Sequence, residues 1–398
     1  MVWRDPLEQL YFTPPERGIK VATDVSEKYR HLFPVLEKVT YVNACSQGAL
    51  AIPVRDALNE YLDGMYERGS LWDQWVMKQE ELRALTAKAF STKPENVAIT
   101  SSASAGINSV LSSFDFSKGK NKIVTTDLEF PTMGQILHAQ ERRGAKVVHV
   151  PSEPDNTLDL SKLEAALTSD VALLAVTHVC YRNGALTDIK AVTQLGHKYG
   201  IPVLVDAYQS VGSMAIDFED VGADFLVGGY LKYFLGIPGI GFLLARPDSP
   251  LVPSLTGWFA AADIFEMRID TYDPAQDARR FSMGTPPVPS VYGAVAGLEL
   301  MLDVGLDNAW RHTLELHREL RESLNEFGAK FATPSDLHGV MLAVKAKDDH
   351  LLVEELEKGG VVASSRDGNL RVSPHFYNSS LDIQHVVEVL GSKKELLA

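Results

Sequence analysis

Short apolar runs alternate with longer stretches whose apolar positions recur at helical spacing, from about Tyr41 onward. Val97–Thr100, Lys122–Thr126, Lys146–Val150, Val171–Val176, Ile201–Val205, Phe225–Val227 and Gly241–Leu244 read as strands. Among them, Gly106–Phe114, Pro131–Arg143, Leu160–Ser169 and Ile189–Tyr199 read as helices or helix openings. Val171–Val176 and Ile201–Val205 are apolar throughout, the pattern of strands covered on both faces. Strands of this kind separated by helices build an α/β fold with a mostly parallel central sheet. Such sheets bind ligands beyond the C-terminal ends of their strands. The residues just after each apolar run are therefore where chemistry is expected.

The pattern changes toward the end of the chain. Val288–Val304 and Arg311–Phe327 predict two helices, Gly339–Val344 and Leu370–Val372 two strands, and Leu381–Leu390 a closing helix. The expected division is a lead-in over 1–40 that joins the small domain, a large domain over 41–289, and a small α+β domain over 290–398. A chain of 398 residues exceeds one simple core and fits one large and one smaller domain.

Composition narrows the class. The formal net charge is -14, and no basic stripe is visible, so no nucleic-acid partner is expected. The start, MVWRDPLEQL, lacks a basic segment followed by an apolar run and does not read as a signal peptide. No run of about 18 apolar residues occurs, so no membrane span is expected. With only Cys45 and Cys180, neither a metal cluster nor a disulfide framework is legible, and a cytoplasmic, reducing compartment is expected.

Three segments carry chemistry. Asp206 closes the apolar run Val203-Leu204-Val205, where a carboxylate is costly unless paired. Further on, Lys232 lies in the apolar, glycine-rich stretch GGYLKYFLGIPGIG. Lysine is rarely buried without a partner or a task, and burial lowers its amine pKa, as imine formation requires. The third is Ile99-Thr100-Ser101-Ser102-Ala103-Ser104, a strand that runs into a small-residue turn and a helix start. Such a turn is commonly an N-cap, and it also makes a phosphate seat. A phosphate seat, a buried acid and a buried lysine are together what pyridoxal 5'-phosphate (PLP) requires.

At these residues the chain resembles the PLP-dependent fold-type I enzymes of the class V aminotransferase family, over roughly residues 40–390. That group includes cysteine desulfurases, selenocysteine lyases, isopenicillin-N-epimerase-like proteins and kynureninases. The resemblance implies the PLP-dependent transferase fold and a homodimer with active sites at the subunit interface. It implies that Lys232 is the Schiff-base lysine and that Asp206 meets the pyridine nitrogen. Gln209, in VDAYQSVG, matches the residue that bonds the phenolic oxygen. Ser102, Ala103 and Ser104 match the phosphate turn, and Phe130, in LEFPTMG, the residue stacked on the ring. Thr285, in RFSMGTPP, matches a residue that reaches the phosphate in the neighbouring subunit. Trp258, in TGWF, resembles a kynureninase tryptophan near the phosphate. Arg371, in LRVSPHFYN, matches the arginine that grips the substrate carboxylate.

The match departs from each named subgroup. Cysteine desulfurases use a cysteine in the C-terminal third, and this chain has none after Cys180. Kynureninases have His where Gln209 stands, an Asp shortly after the stacking Phe where Thr132-Met133 stand here, and Tyr where Leu231 stands. Cys45 and Cys180 are expected to pack rather than react. The expected activity is that of a lyase cleaving or eliminating at Cβ of a small L-amino acid. The alternatives are an aminotransferase or an amino-acid epimerase, and, from a different class, a binding protein without catalysis, against which the retained Lys232 argues. Loops over Tyr66–Trp75 and Ala260–Tyr272 are expected near the interface, with Arg68, Trp72, Trp75 and Arg268 as candidate substrate contacts.

Overall fold

The computed structural model describes residues 25–398, so most of the expected lead-in lies outside the described residues. After a short strand β1 (Thr40–Tyr41), seven strands form the central sheet: β2 (Val97–Thr100), β3 (Lys122–Thr126), β4 (Lys146–Val150), β5 (Val171–Thr177), β6 (Val203–Asp206), β7 (Phe225–Gly229) and β8 (Gly241–Ala245). Their order is β2-β8-β7-β6-β5-β3-β4. Only β8 runs against its neighbours, so the sheet is mostly parallel.

The apolar runs alternate between two cores, as the two-residue period of a strand requires. Leu173, Ala175, Leu204 and Val227 pack with Ile107, Val110, Met133 and Leu137 from helices on one face. Leu174, Val176, Val205 and Leu226 pack with Val192, Phe218 and Leu82 on the other. Burial on both faces explains why β5 to β8 carry almost no polar residue before their C-terminal ends.

Several boundaries differ from the sequence reading. The helix expected from Gly106 begins at Ala103, because Ser102 caps it by accepting the Ala105 N–H at 3.1 Å. The second C-terminal helix begins at Leu306 rather than Arg311. Tyr66–Trp75 is not a loop: the helix Ile52–Arg68 ends at Gly69 (φ 74°), and a second helix begins at Trp72. Only Val54 of the first helix is buried, so it carried little helical periodicity to read.

In the C-terminal part, β9 (Leu342–Lys345), β11 (Ser364–Arg366) and β12 (Asn369–Val372) form an antiparallel sheet, and β10 (Val361–Val362) pairs parallel with β1. The helices Leu306–Glu326, Asp349–Lys358 and Ser380–Gly391 cover its core. The division expected at 289/290 falls inside the helix Val288–Val304, whose Val291, Ala294, Leu298 and Met301 join the core of the large sheet. Before β1, Phe33 packs on Phe376 and Tyr377, and Arg30 pairs with Asp382, tying residues 30–33 to the C-terminal part. Among the described residues, no single helix is long and apolar enough to cross a membrane.

Candidate active site

The C-terminal ends of β2, β5, β6 and β7 converge. Asp206 is the last residue of β6 and only 6% exposed. Its Oδ1 accepts the Tyr208 N–H at 2.9 Å. Burial raises its pKa, while that hydrogen bond and the nearby Lys232 pull the other way. Lys232 follows β7 in a tightly held loop. The Gly48 N–H donates to the Leu231 carbonyl at 3.1 Å, and a Cβ on Gly48 would lie 2.3 Å from the Lys232 carbonyl oxygen. Only glycine permits that approach.

The Lys232 Nζ lies 4.6 Å from the centre of the Tyr208 ring and 5.9 Å from that of Phe130. Burial lowers its pKa to about 8, with Arg371 and Arg366 adding to the effect and Cys45 and Asp206 opposing it. Near neutral pH a useful share of the amine is therefore unprotonated, the form that attacks a carbonyl. Phe130 is 41% exposed, and its ring stands perpendicular to that of Tyr181 with centres 4.8 Å apart.

Arg371, on β12, reaches this edge from the C-terminal part. It is 3% exposed, and its guanidinium donates to the Tyr181 carbonyl (2.9 Å), Ser46 Oγ (3.1 Å) and Ser364 Oγ (2.9 Å). Its Nε is buried without a partner, and among the described residues no carboxylate pairs with it. A buried cation without a counter-charge is costly, and a ligand carboxylate would supply one. Gln209 is buried and donates to the Cys45 carbonyl at 3.1 Å.

At the phosphate turn, the Ser102 hydroxyl is engaged by its own helix, whereas the Ala103 and Ser104 N–H groups open the helix without a hydrogen-bond partner among the described residues. Thr285 is exposed and lines a cavity of about 90 Å³ with Thr100, Ser101 and Ala105 of its own chain. Trp258 packs edge-on against Trp72 (5.6 Å) and Phe259 (4.5 Å). Cys180 is packed with Leu128 and Ala185, and burial pushes its thiol pKa up. Cys45 is also buried, its Sγ 3.9 Å from Ser364 Oγ. Arg268 is exposed and flanked by Glu266 and Asp270.

Three neighbours were not picked out from the sequence. Ser46 and Ser364 hold Arg371 from distant parts of the chain. His178, just after β5, donates its backbone N–H to the Asp206 carbonyl at 2.8 Å, and its Nδ1 lies 2.9 Å from Ser210 Oγ. The Ser210 hydroxyl donates to the Ala207 carbonyl, so the His178 Nδ1 carries the proton. Burial lowers the His178 pKa to about 4, which keeps the ring neutral. Its position after the apolar run of β5 was the available signal.

The chain matches the aminotransferase class-V family over residues 49–387. It belongs to that family. Similar proteins include the uncharacterized aminotransferase YcbU of Bacillus subtilis (strain 168), 34% identical over 370 residues, covering 92% of this chain and 98% of the relative. A kynureninase of Geobacillus thermodenitrificans (strain NG80-2) is 27% identical over 333 residues, covering 79% and 78%. The solved apo structure of a cysteine desulfurase from Thermococcus onnurineus NA1 superposes with a TM-score of 0.84 at 23% identity, covering 94% of this chain and all of that one. This last likeness establishes the fold-type I architecture.

The family's cofactor is PLP, and the residues present fit it. The Lys232 Nζ has no hydrogen-bond partner among the described residues, Phe130 is exposed, and the first helical N–H groups after β2 are free. Lys232, Asp206, Gln209, Phe130 and the 102–104 turn are the groups that would hold it.

Proposed function

We propose that this class V enzyme is a lyase that cleaves or eliminates at Cβ of a small L-amino acid. The observation that carries the amino-acid substrate is Arg371: a buried guanidinium without a carboxylate partner, close enough to Lys232 to lower its pKa. An α-carboxylate seated there brings Cα toward the Lys232 amine. PLP, when bound, supplies an electron sink for negative charge at Cα. Lys232 would take the Cα proton as general base while the bond from Cβ to its leaving group breaks, and would pass that proton to the departing group, a role suited to an amine poised near neutrality. Asp206 would hold the ring nitrogen in its protonated, positive form, and Phe130 would cover a ring face. Kynureninase, among the similar proteins, supports chemistry at Cβ. The absence of any cysteine after Cys180 argues against a persulfide-forming route.

The second reading is an aminotransferase, favoured by the name of the relative at 34% identity. Turnover on cysteine, cysteine sulfinate, kynurenine, serine and alanine, without an oxo-acid acceptor, separates the two. Sustained release of pyruvate, alanine or another Cβ-cleavage product is expected. A single stoichiometric conversion, restarted only by an oxo acid, would replace the lyase reading with the transaminase one.

We further propose a homodimer in which Thr285 reaches the neighbouring subunit's cofactor. The exposed apolar side chains Phe265, Met267 and Ile269, close together in one segment, are surface such an interface would cover. A cytoplasmic setting fits the two free thiols.

A further inference from the structure

Glu129 precedes Phe130 at the exit of β3 and is buried. Its Oε1 accepts two hydrogen bonds, from Thr126 Oγ1 at 2.8 Å and from the Thr177 N–H at 2.9 Å. Its Oε2 is buried without a partner. Thr177 ends β5 and pairs in register with Asp206 on β6. Two buried carboxyl groups therefore stand at one sheet edge, linked through the β5 terminus. Buried like charges this close do not both ionise readily, and the proton goes to the less stabilised member.

The two differ in what surrounds them. Asp206 has Lys232 as a nearby cation, and a protonated ring nitrogen would add a second positive charge. The charges acting on Glu129 are Asp206 on β6 and Asp127 on its own turn, both negative. His178, which follows Thr177, is neutral, and no cation acts on Glu129 as Lys232 does on Asp206. Burial and the two aspartates raise the Glu129 pKa to about 8, against the two hydrogen bonds.

We propose that Glu129 is a positioning residue that keeps the proton of this two-carboxyl pair, fixing the Phe130 turn to the end of β5 and leaving Asp206 as the ionised member. The proposal rests on Asp206 serving the cofactor ring, but the location of the proton is measurable without cofactor. A group whose folded pKa lies above its unfolded value contributes stability that is complete below the unfolded value and is lost as pH rises through the folded one. Glu129→Gln removes that loss and should gain stability over wild type between about pH 4.3 and pH 8.

The test is infrared difference spectroscopy on the cofactor-free protein, wild type minus Glu129→Gln. A protonated-carboxyl band at pH 6.5 that disappears with a midpoint near pH 8 is expected. A band that persists in Glu129→Gln and vanishes in Asp206→Asn would place the proton on Asp206 and overturn the proposal. A PLP titration followed by absorbance gives a second reading. Glu129→Gln should bind PLP within about threefold of wild type and Glu129→Leu about tenfold or more weaker, since the Thr177 N–H loses its acceptor. Equal binding by both variants would overturn the positioning role. Should Glu129→Gln fail to fold, Asp206→Asn decides: a protonated-carboxyl band retained in that variant keeps the proton on Glu129, and a band lost there overturns the proposal. None of these readouts depends on lyase activity, so failure here and failure of the proposed reaction are separable.

Discussion

Lys232→Ala is expected to abolish turnover, by about 10³-fold or more, and to remove the visible absorption of covalently held cofactor. Two losses combine. The amine proposed to bond the cofactor is gone, and so is the proposed general base, a role that alone contributes roughly 10²–10⁴-fold. The fold should survive, because the Lys232 side chain makes no hydrogen bond that its loss would leave unpaired. Asp206, Phe130 and the helix opening at Ala103 remain to bind PLP without the covalent link. A variant that turned over within tenfold of wild type would remove Lys232 from the mechanism.

Arg371→Leu should raise KM for the amino acid and lower kcat/KM by about 10²–10³-fold, since truncating one partner of a buried charge pair costs about 2–5 kcal/mol. The side chain is already oriented by Ser46, Ser364 and the Tyr181 carbonyl, so little ordering cost remains when a carboxylate arrives. Arg371→Lys keeps the charge but not the planar fork, and it should recover only part of the loss. Steady-state kinetics on the best substrate, with a thermal melt as a control for folding, checks both variants. A substrate without a carboxylate should respond little to either change. An unchanged KM in Arg371→Leu would move the carboxylate seat elsewhere.

Much of the site was legible because charge in an apolar run is conspicuous. Asp206 and Lys232 stand out where β6 ends and where the loop after β7 begins, and both fall at the sheet edge where ligands bind. Glu129 was harder to see. It lies between the turn after β3 and Phe130, outside any apolar run that would make its charge conspicuous. Its burial depends on pairing with the Thr177 N–H of β5, a contact between residues far apart in sequence. Ser46 and Ser364 were invisible for the same reason: each is an ordinary serine until β12 carries Arg371 between them. The helices Ile52–Arg68 and Trp72–Ala89 escaped because much of their surface is exposed, which weakens the apolar stripe that marks a helix.

The most direct measurement adds PLP to the cofactor-free protein, reduces the complex with borohydride, and maps the modified peptide by mass spectrometry. The account predicts a single reduced adduct on Lys232, in the GGYLKYFLG segment. Adduct on another lysine, or none, would contradict it.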